Sequence, residues 1–364
     1  MSSEFDAMAV ARQTYVVRIF RLLPLPLLTG LAAVQACQGT PPRPAVVTDP
    51  GKPVPGIGGG GPPTQDAAPQ EAGLASGILT TTPSAPLSMA IDATFLYWTT
   101  TTTVYRVPRA GGTPVELAGS QIGAVGITED GTSLLWATGS GTGTGSGTGM
   151  IESYDLGSQS LSPLAQTLGP PESLVIDAVH AFWTTDTGGG VNVESVPLVG
   201  GPVNEVSSVL GGFTPAGLAI DGSRAYFGVT SGGAGGAIYR TPLVGGGPSP
   251  LWTSATVGPG QLALLGTTLY WTVPAAAPSG AILSLPTTGG AVTTVVTGLD
   301  APAALATDGA RIYWSSPNAG TVSAAQPDGS QVVDLATGLP SPGTILVSDA
   351  VYVGTPGSIV VVPK

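Results

Sequence analysis

The sequence predicts an all-β ring of seven four-stranded blades, a β-propeller, and three observations carry that prediction. First, an aromatic segment recurs seven times along the 364 residues. Taking Trp98, Trp136, Trp183, Phe227, Trp271, Trp314 and Val353 as equivalent, the spacings are 38, 47, 44, 44, 43 and 39. A period in the low forties fits a four-stranded blade better than a two-helix unit. Second, Val, Thr, Tyr, Trp and Ile crowd every unit, Gly and Pro punctuate it, and apolar spacing of three and four is missing. Third, the last unit stops after three strands, with SIVVVPK at Ser358–Lys364, while an unassigned strand, GILTT at Gly77–Thr81, stands directly before the first unit. Pairing the two closes the ring and leaves no large open gap in it.

Within each unit the first strand is an alternating run such as LSMAI (Leu87–Ile91), with Leu87, Met89 and Ile91 on one face. A turn bearing Asp92, Asp130, Asp177, Asp221 or Asp308 follows, where a short carboxylate caps its own backbone. The second strand carries the aromatic residue and is apolar on both faces, as a sheet between neighbouring blades requires. The third ends at Pro108, Pro197, Pro242, Pro286 or Pro327, and in four blades the next turn reads Pro-x-x-Gly-Gly. The fourth is a run such as VELA (Val115–Ala118). The predicted blades cover about 85–118, 122–165, 171–207, 215–253, 259–297, 302–336 and 342–364, inside a propeller domain of 74–364.

The second blade is the least regular, because GSGTGTGSGTG at Gly139–Gly149 separates its middle strands. That run reads as an extended hairpin rather than a functional flap, since a longer surface loop costs little entropy per residue. Shorter insertions at Ser231–Gly236 and Pro274–Gly280 occupy the same place in blades four and five, so these loops crowd one face.

Residues 1–36 read as a targeting segment. Arg12, Arg18 and Arg21 precede LLPLPLLTGLAAV (Leu22–Val34), which is too short and proline-rich to span a bilayer comfortably. The segment ends Val34-Gln35-Ala36-Cys37, and Cys37 is the single cysteine of the chain. This resembles the lipobox of bacterial lipoproteins, which implies cleavage before Cys37 and lipidation of its thiol. Cleavage would leave 8 of the 11 basic and 20 of the 22 acidic residues, a net charge of −12. Gln38, by the same resemblance, favours the outer membrane, with periplasmic or surface-facing orientation open. Residues 37–73, dense in Pro and Gly, read as a flexible tether a few nanometres long at most.

Charge and motif content narrow the function. Charged residues make up only 9% of the chain, the net charge is −11, and the propeller region holds no cluster of Lys or Arg, which argues against nucleic acid. His180 is the single histidine and sits on a turn, without the neighbours that a triad or a zinc site needs. No cofactor or metal is therefore expected. The tryptophans of the second strands share their phase with Tyr, Phe and Val, which marks them as packing between blades. Trp252 lies in a fourth strand, outside that phase, and is the candidate contact residue; covering the outer edge of blade four is its plainer role.

The repeats LYWT at Leu96–Thr99 and Leu269–Thr272, with FWTTD at Phe182–Asp186, resemble the YWTD (low-density-lipoprotein-receptor class B) and NHL-like propellers over about 285 residues. The signature aspartate is missing from most copies. The expectation is a monomeric, non-catalytic, lipid-anchored propeller of the cell envelope that binds a protein or glycan. The alternatives are a lactonase- or lyase-like enzyme with its site in the central channel, and a structural component of envelope assembly.

Overall fold

The computed structural model describes residues 77–141, 147–232 and 235–364. The expected signal segment, the tether and Cys37 lie outside them. The described chain forms seven four-stranded antiparallel sheets, each a simple meander in six of the seven cases. The first strands touch one another in sequence around a complete circle, so the sheets stand as blades about a central channel. The fold is a seven-bladed β-propeller, and no helix occurs among the described residues.

Blade seven is completed from the N-terminal side. Its strands Ile345–Val347, Val351–Thr355 and Ser358–Val362 are followed in space by Gly77–Thr81, paired antiparallel with Gly77 opposite Val361 and Thr81 opposite Ser358. Blade two is regular. Its strands Ser133–Gly141 and Gly147–Asp155 continue their ladder out to Gly141 opposite Gly147, which makes the low-complexity run an extension of the hairpin. The glycines at its base have a packing reason. A Cβ on Gly149 would meet Pro171, Thr167 and the Thr138 carbonyl at collision distance, so blade three can approach only a bare backbone.

Blade-to-blade packing is the core. Seven apolar clusters fill the seven interfaces, and Trp98, Trp136, Trp183, Trp271 and Trp314 are each 0–1% exposed within them. Two details differ from the alternation expected of the first and third strands. In blade one the first strand is Ser88–Ile91, with both Met89 and Ala90 buried, because neighbouring blades close on both faces of the sheet. Pro327 stands beyond its strand, Thr321–Ala325, because the turn closes one residue earlier, with the Gly329 N–H donating to the Gln326 carbonyl, so the proline lies inside the turn.

Hydroxyls next to the tryptophans tie the blades together. Thr272 Oγ1 accepts from the Gln261 N–H and donates to the Ala303 carbonyl of the next blade. Ser315 does the same between the Ala304 N–H and the Gly343 carbonyl. At the Pro-x-x-Gly-Gly turns, the first glycine N–H closes on the proline carbonyl at 2.8–3.1 Å. Both glycines have positive φ there, which is why the pair recurs.

At the first turns, each predicted aspartate caps its loop. Asp92 accepts from the Thr94 and Phe95 N–H groups, and Asp308 from those of Ala310 and Arg311. The second oxygen accepts the hydroxyl of a second-strand tyrosine: Tyr97 to Asp92 and Tyr226 to Asp221 at 2.6 Å, and Tyr313 to Asp308 at 2.8 Å. Blade seven has a fourth couple, Tyr352 with Asp349, and Arg109 of blade one forms an ion pair with that aspartate. Blade five has no aspartate at its turn, and the Tyr270 hydroxyl donates instead to the Pro327 carbonyl of blade six.

These couples make stability depend on pH at both ends. Burial alone would raise the carboxyls, but the tyrosine hydroxyls and turn N–H groups hold Asp92 and Asp221 below the ordinary value. Asp308 is lowered in the same way, with Lys364 adding to the effect. Burial and the facing aspartate push Tyr313 up to about 12. A lowered carboxyl contributes stability above its unfolded pKa of about 3.9 and loses it as pH falls. A raised tyrosine contributes fully below its unfolded pKa of about 10 and loses it as pH rises. The urea midpoint is therefore expected to be level near neutrality, to drop below about pH 4 and again above about pH 10. Tyr313→Phe should flatten the alkaline fall; an unchanged alkaline profile in that variant would contradict the assignment.

Candidate functional site

Because neighbouring strands are antiparallel in every blade, the loops alternate between two faces. The aspartate turns and the Pro-x-x-Gly-Gly turns share one end of the ring, here the lower face. The loops between second and third strands, and the connections between blades, share the upper face. The repeated motifs are thus spent on the lower face and in the core, and the segments that differ between blades lie above.

His180 begins the second strand of blade three at the lower face, with Nδ1 3.9 Å from Asp177 and its ring beside Phe182. It is remote from the channel lining. Trp252, in the outer strand Ser249–Ser254 of blade four, is half-buried, and its ring lies 5.4 Å from that of Trp271. Part of its surface therefore covers the edge of a blade interface, and the remainder faces outward.

At the upper face, Asp300 links two loops by accepting from the Ala277 N–H of blade five and the Asn318 side chain of blade six. Between blades four and five lies a cleft of about 300 Å³, walled by Thr230, Val257, Pro259, Val273 and Pro274. The middle of the Gly139–Gly149 run and residues 233–234 are outside the described residues.

The central channel holds about 610 Å³ and is walled by the first strands, with Leu87, Met89, Leu174, Leu218 and Leu305 as its apolar part. Ser88, Ser173, Gln261 and Thr344 supply polar groups, and Glu172 is its one ionisable lining residue. Glu172 remains open to the channel, yet the protein walls around it raise its carboxyl above the ordinary value, and the nearby Asp186 adds to the push. Asp186, the aspartate of the FWTTD segment, is 4% exposed and accepts from the Gly188 N–H at 2.7 Å. All six Lys and Arg residues described, Arg106, Arg109, Arg224, Arg240, Arg311 and Lys364, fall in the lower half of their blades. The upper face carries Glu172, Asp186 and Asp300 without a matching cation among the described residues. No group of three or more His, Cys, Asp or Glu side chains is placed to hold a metal ion among them.

Sequence reasoning passed over Glu172 and Glu194. Glu194, in the third strand of blade three, is 3% exposed, and its Oε2 accepts from Trp183 Nε1 at 2.7 Å and Thr185 Oγ1 at 2.8 Å. Trp136 is served likewise by Gln121, whereas the Nε1 groups of Trp98, Trp271 and Trp314 have no hydrogen-bond partner among the described residues.

No family model matches the chain, and no curated protein matches it either. Solved structures do. A streptogramin B lyase matches with a TM-score of 0.62 at 14% identity, covering 77% of this chain and 93% of its own. A chain of a nidogen/laminin complex matches with a TM-score of 0.51 at 18% identity, covering 68% and 94%. The computationally designed Ika8 protein matches with a TM-score of 0.55 at 12% identity, covering 79% and 99%. At these identities the likenesses establish the propeller fold, which hosts both an enzyme and a protein–protein complex among these three.

Proposed function

We propose that this chain is a non-catalytic, lipid-anchored propeller of the cell envelope, monomeric, which binds a protein or glycan on its upper face. One observation carries the binding part: the repeated chemistry is consumed by lower turns and core, while the loops that vary most in length between blades, and the channel mouth, lie above. With them lie the Asp300 link and the cleft between blades four and five, and the channel mouth is acid-lined. With no cation on that face among the described residues, an anionic partner such as a nucleic acid would meet only repulsion. Trp252 belongs to the proposed contact surface through its outward part. Crosslinking in intact envelopes, with a photoreactive residue at Val257 in the cleft, should capture a partner that the same probe at Asp328 on the lower face misses. Equal capture at both positions would count against an upper-face site.

The anchor rests on the Val34–Cys37 motif and on Cys37 being the single cysteine. Cys37→Ala is expected to abolish palmitate labelling and to move the protein from the membrane fraction to the soluble one. Labelling that persists in the variant would sink the anchor.

One observation favours catalysis as a second reading: Glu172 stands in the channel with its carboxyl raised, as a general acid would. Glu172→Gln separates the two, because it should abolish a channel-based hydrolase or lyase and leave upper-face crosslinking at Val257 intact.

A further inference from the structure

The lower face joins three features that repeated turn chemistry does not explain. The first is where the chain enters the ring. Gly77–Thr81 runs antiparallel to Ser358–Val362, which starts at the upper turn Pro356–Gly357 and leads down to Lys364. Gly77, opposite Val361, is therefore at the lower end, so the described chain begins on that side.

The second is the distribution of exposed aliphatic side chains. Val199 and Val244 are each 97% exposed, at the tips of the Pro-Leu-Val-Gly-Gly turns of adjacent blades three and four. Ile78, Val115, Val292 and Val332 are also exposed, and each precedes or begins an outer strand, at its lower end. With Leu161 of blade two, every blade presents an exposed aliphatic residue along this rim; the upper face has Ile122, Leu168 and Leu210, but none as fully exposed as Val199 and Val244. Single exposed aliphatics are ordinary, but two fully exposed valines at the tips of adjacent turns contribute nothing to the core and are the groups of this face most available to an apolar contact.

The third is the placement of charge. Most aspartates of the lower face lie in the turns between first and second strands, nearer the axis, where backbone N–H groups and, at Asp92, Asp221 and Asp308, tyrosines engage them; Asp155 and Asp328 stand in the outer turns of blades two and six. The outer turns at Val199 and Val244 carry no charged residue. The outer turns of blades one, two and six carry Arg109, Asp155 and Asp328, so the uncharged apolar part of the rim is that of blades three and four, and its contact is with a surface of no net charge.

We infer that this rim rests on the surface of a zwitterionic phospholipid bilayer, with Val199 and Val244 entering the interface and the upper face turned away from it. The inference rests on the anchoring proposed above. Only 39 residues separate Cys37 from Gly77, and they join the ring on this side. A linker of that length holds the rim near the bilayer at an effective concentration on the order of millimolar, so even a weak contact is populated.

The test uses the full chain, lipidated at Cys37 and reconstituted into phosphatidylcholine vesicles whose acyl chains carry nitroxide quenchers. An environment-sensitive fluorophore is placed in separate variants, Val199→Cys and Val244→Cys below, Ile122→Cys and Leu210→Cys above. The expected result is several-fold stronger quenching at the two lower positions than at the two upper ones. Val199→Asp combined with Val244→Asp should reduce quenching of a probe at Val115→Cys several-fold while the protein still sediments with the vesicles. Protein that sediments but quenches equally on both faces overturns the bilayer contact and leaves the anchor standing. Protein that fails to sediment at all overturns the anchor, and the contact with it.

Discussion

A chain that starts at Thr82 is expected to lose cooperative unfolding, whereas one that starts at Gly77 keeps it. The five residues between these starts are the outer strand of blade seven. They form an antiparallel ladder with Ser358–Val362, and Thr80 Oγ1 donates to the Gly112 carbonyl of blade one. Leu79 packs into the cluster built by Met89, Leu96, Trp98 and Tyr352 at the interface of blades seven and one. With about 1 kcal/mol net for each of four or five hydrogen bonds and about 2 kcal/mol for the leucine, the loss is about 6 kcal/mol. That rivals the entire stability of an ordinary domain, about 5–15 kcal/mol. The deletion also bares the edge of SIVVV, an aliphatic strand ready to pair with another chain. Urea unfolding followed by near-ultraviolet circular dichroism, with gel filtration for aggregation, measures the effect. A shortened chain with an unchanged midpoint would mean that the ring does not depend on its closing strand.

The seven-blade ring and its closure were legible in the sequence because they are periodic. Most blades repeat a core aromatic, a turn aspartate and a proline, so errors in one copy are corrected by the others. What the sequence concealed is what occurs once. Asp349 escaped the reading because it stands three residues before Tyr352, where Asp92, Asp221 and Asp308 stand five residues before their tyrosines. Glu194 in VNVESV looks like an exposed charge interrupting an apolar strand, and only the fold shows Trp183 Nε1 and Thr185 Oγ1 directed at it. Glu172 was invisible for another reason: lining a channel is a property of seven first strands together, and no local pattern marks it. The site therefore depends on singular residues, and those are the ones a repeat-based reading discounts.

Glu194 also yields the second large effect. Glu194→Ala is expected to destabilise the propeller by about 3 kcal/mol, because it strands two buried donors, each costing about 1–3 kcal/mol when left unpaired. Glu194→Gln keeps a carbonyl oxygen where Oε2 was, and should cost about 1 kcal/mol. The tryptophans offer an internal control. Trp183 and Trp271 are equally buried, but Trp183 Nε1 has a partner and Trp271 Nε1 has none. Replacing either with Phe loses similar apolar area, so the difference between Trp183→Phe and Trp271→Phe isolates the hydrogen bond. Trp271→Phe also removes an orphan donor that already weakens its blade interface. Trp183→Phe should therefore be the costlier by about 2 kcal/mol, and a double-mutant cycle with Glu194→Ala, which removes the acceptor, should return a coupling of similar size. Equal losses for the two tryptophans, read from urea midpoints at a constant slope, would show that the buried carboxyl at blade three is a passive occupant rather than a support of the aromatic core.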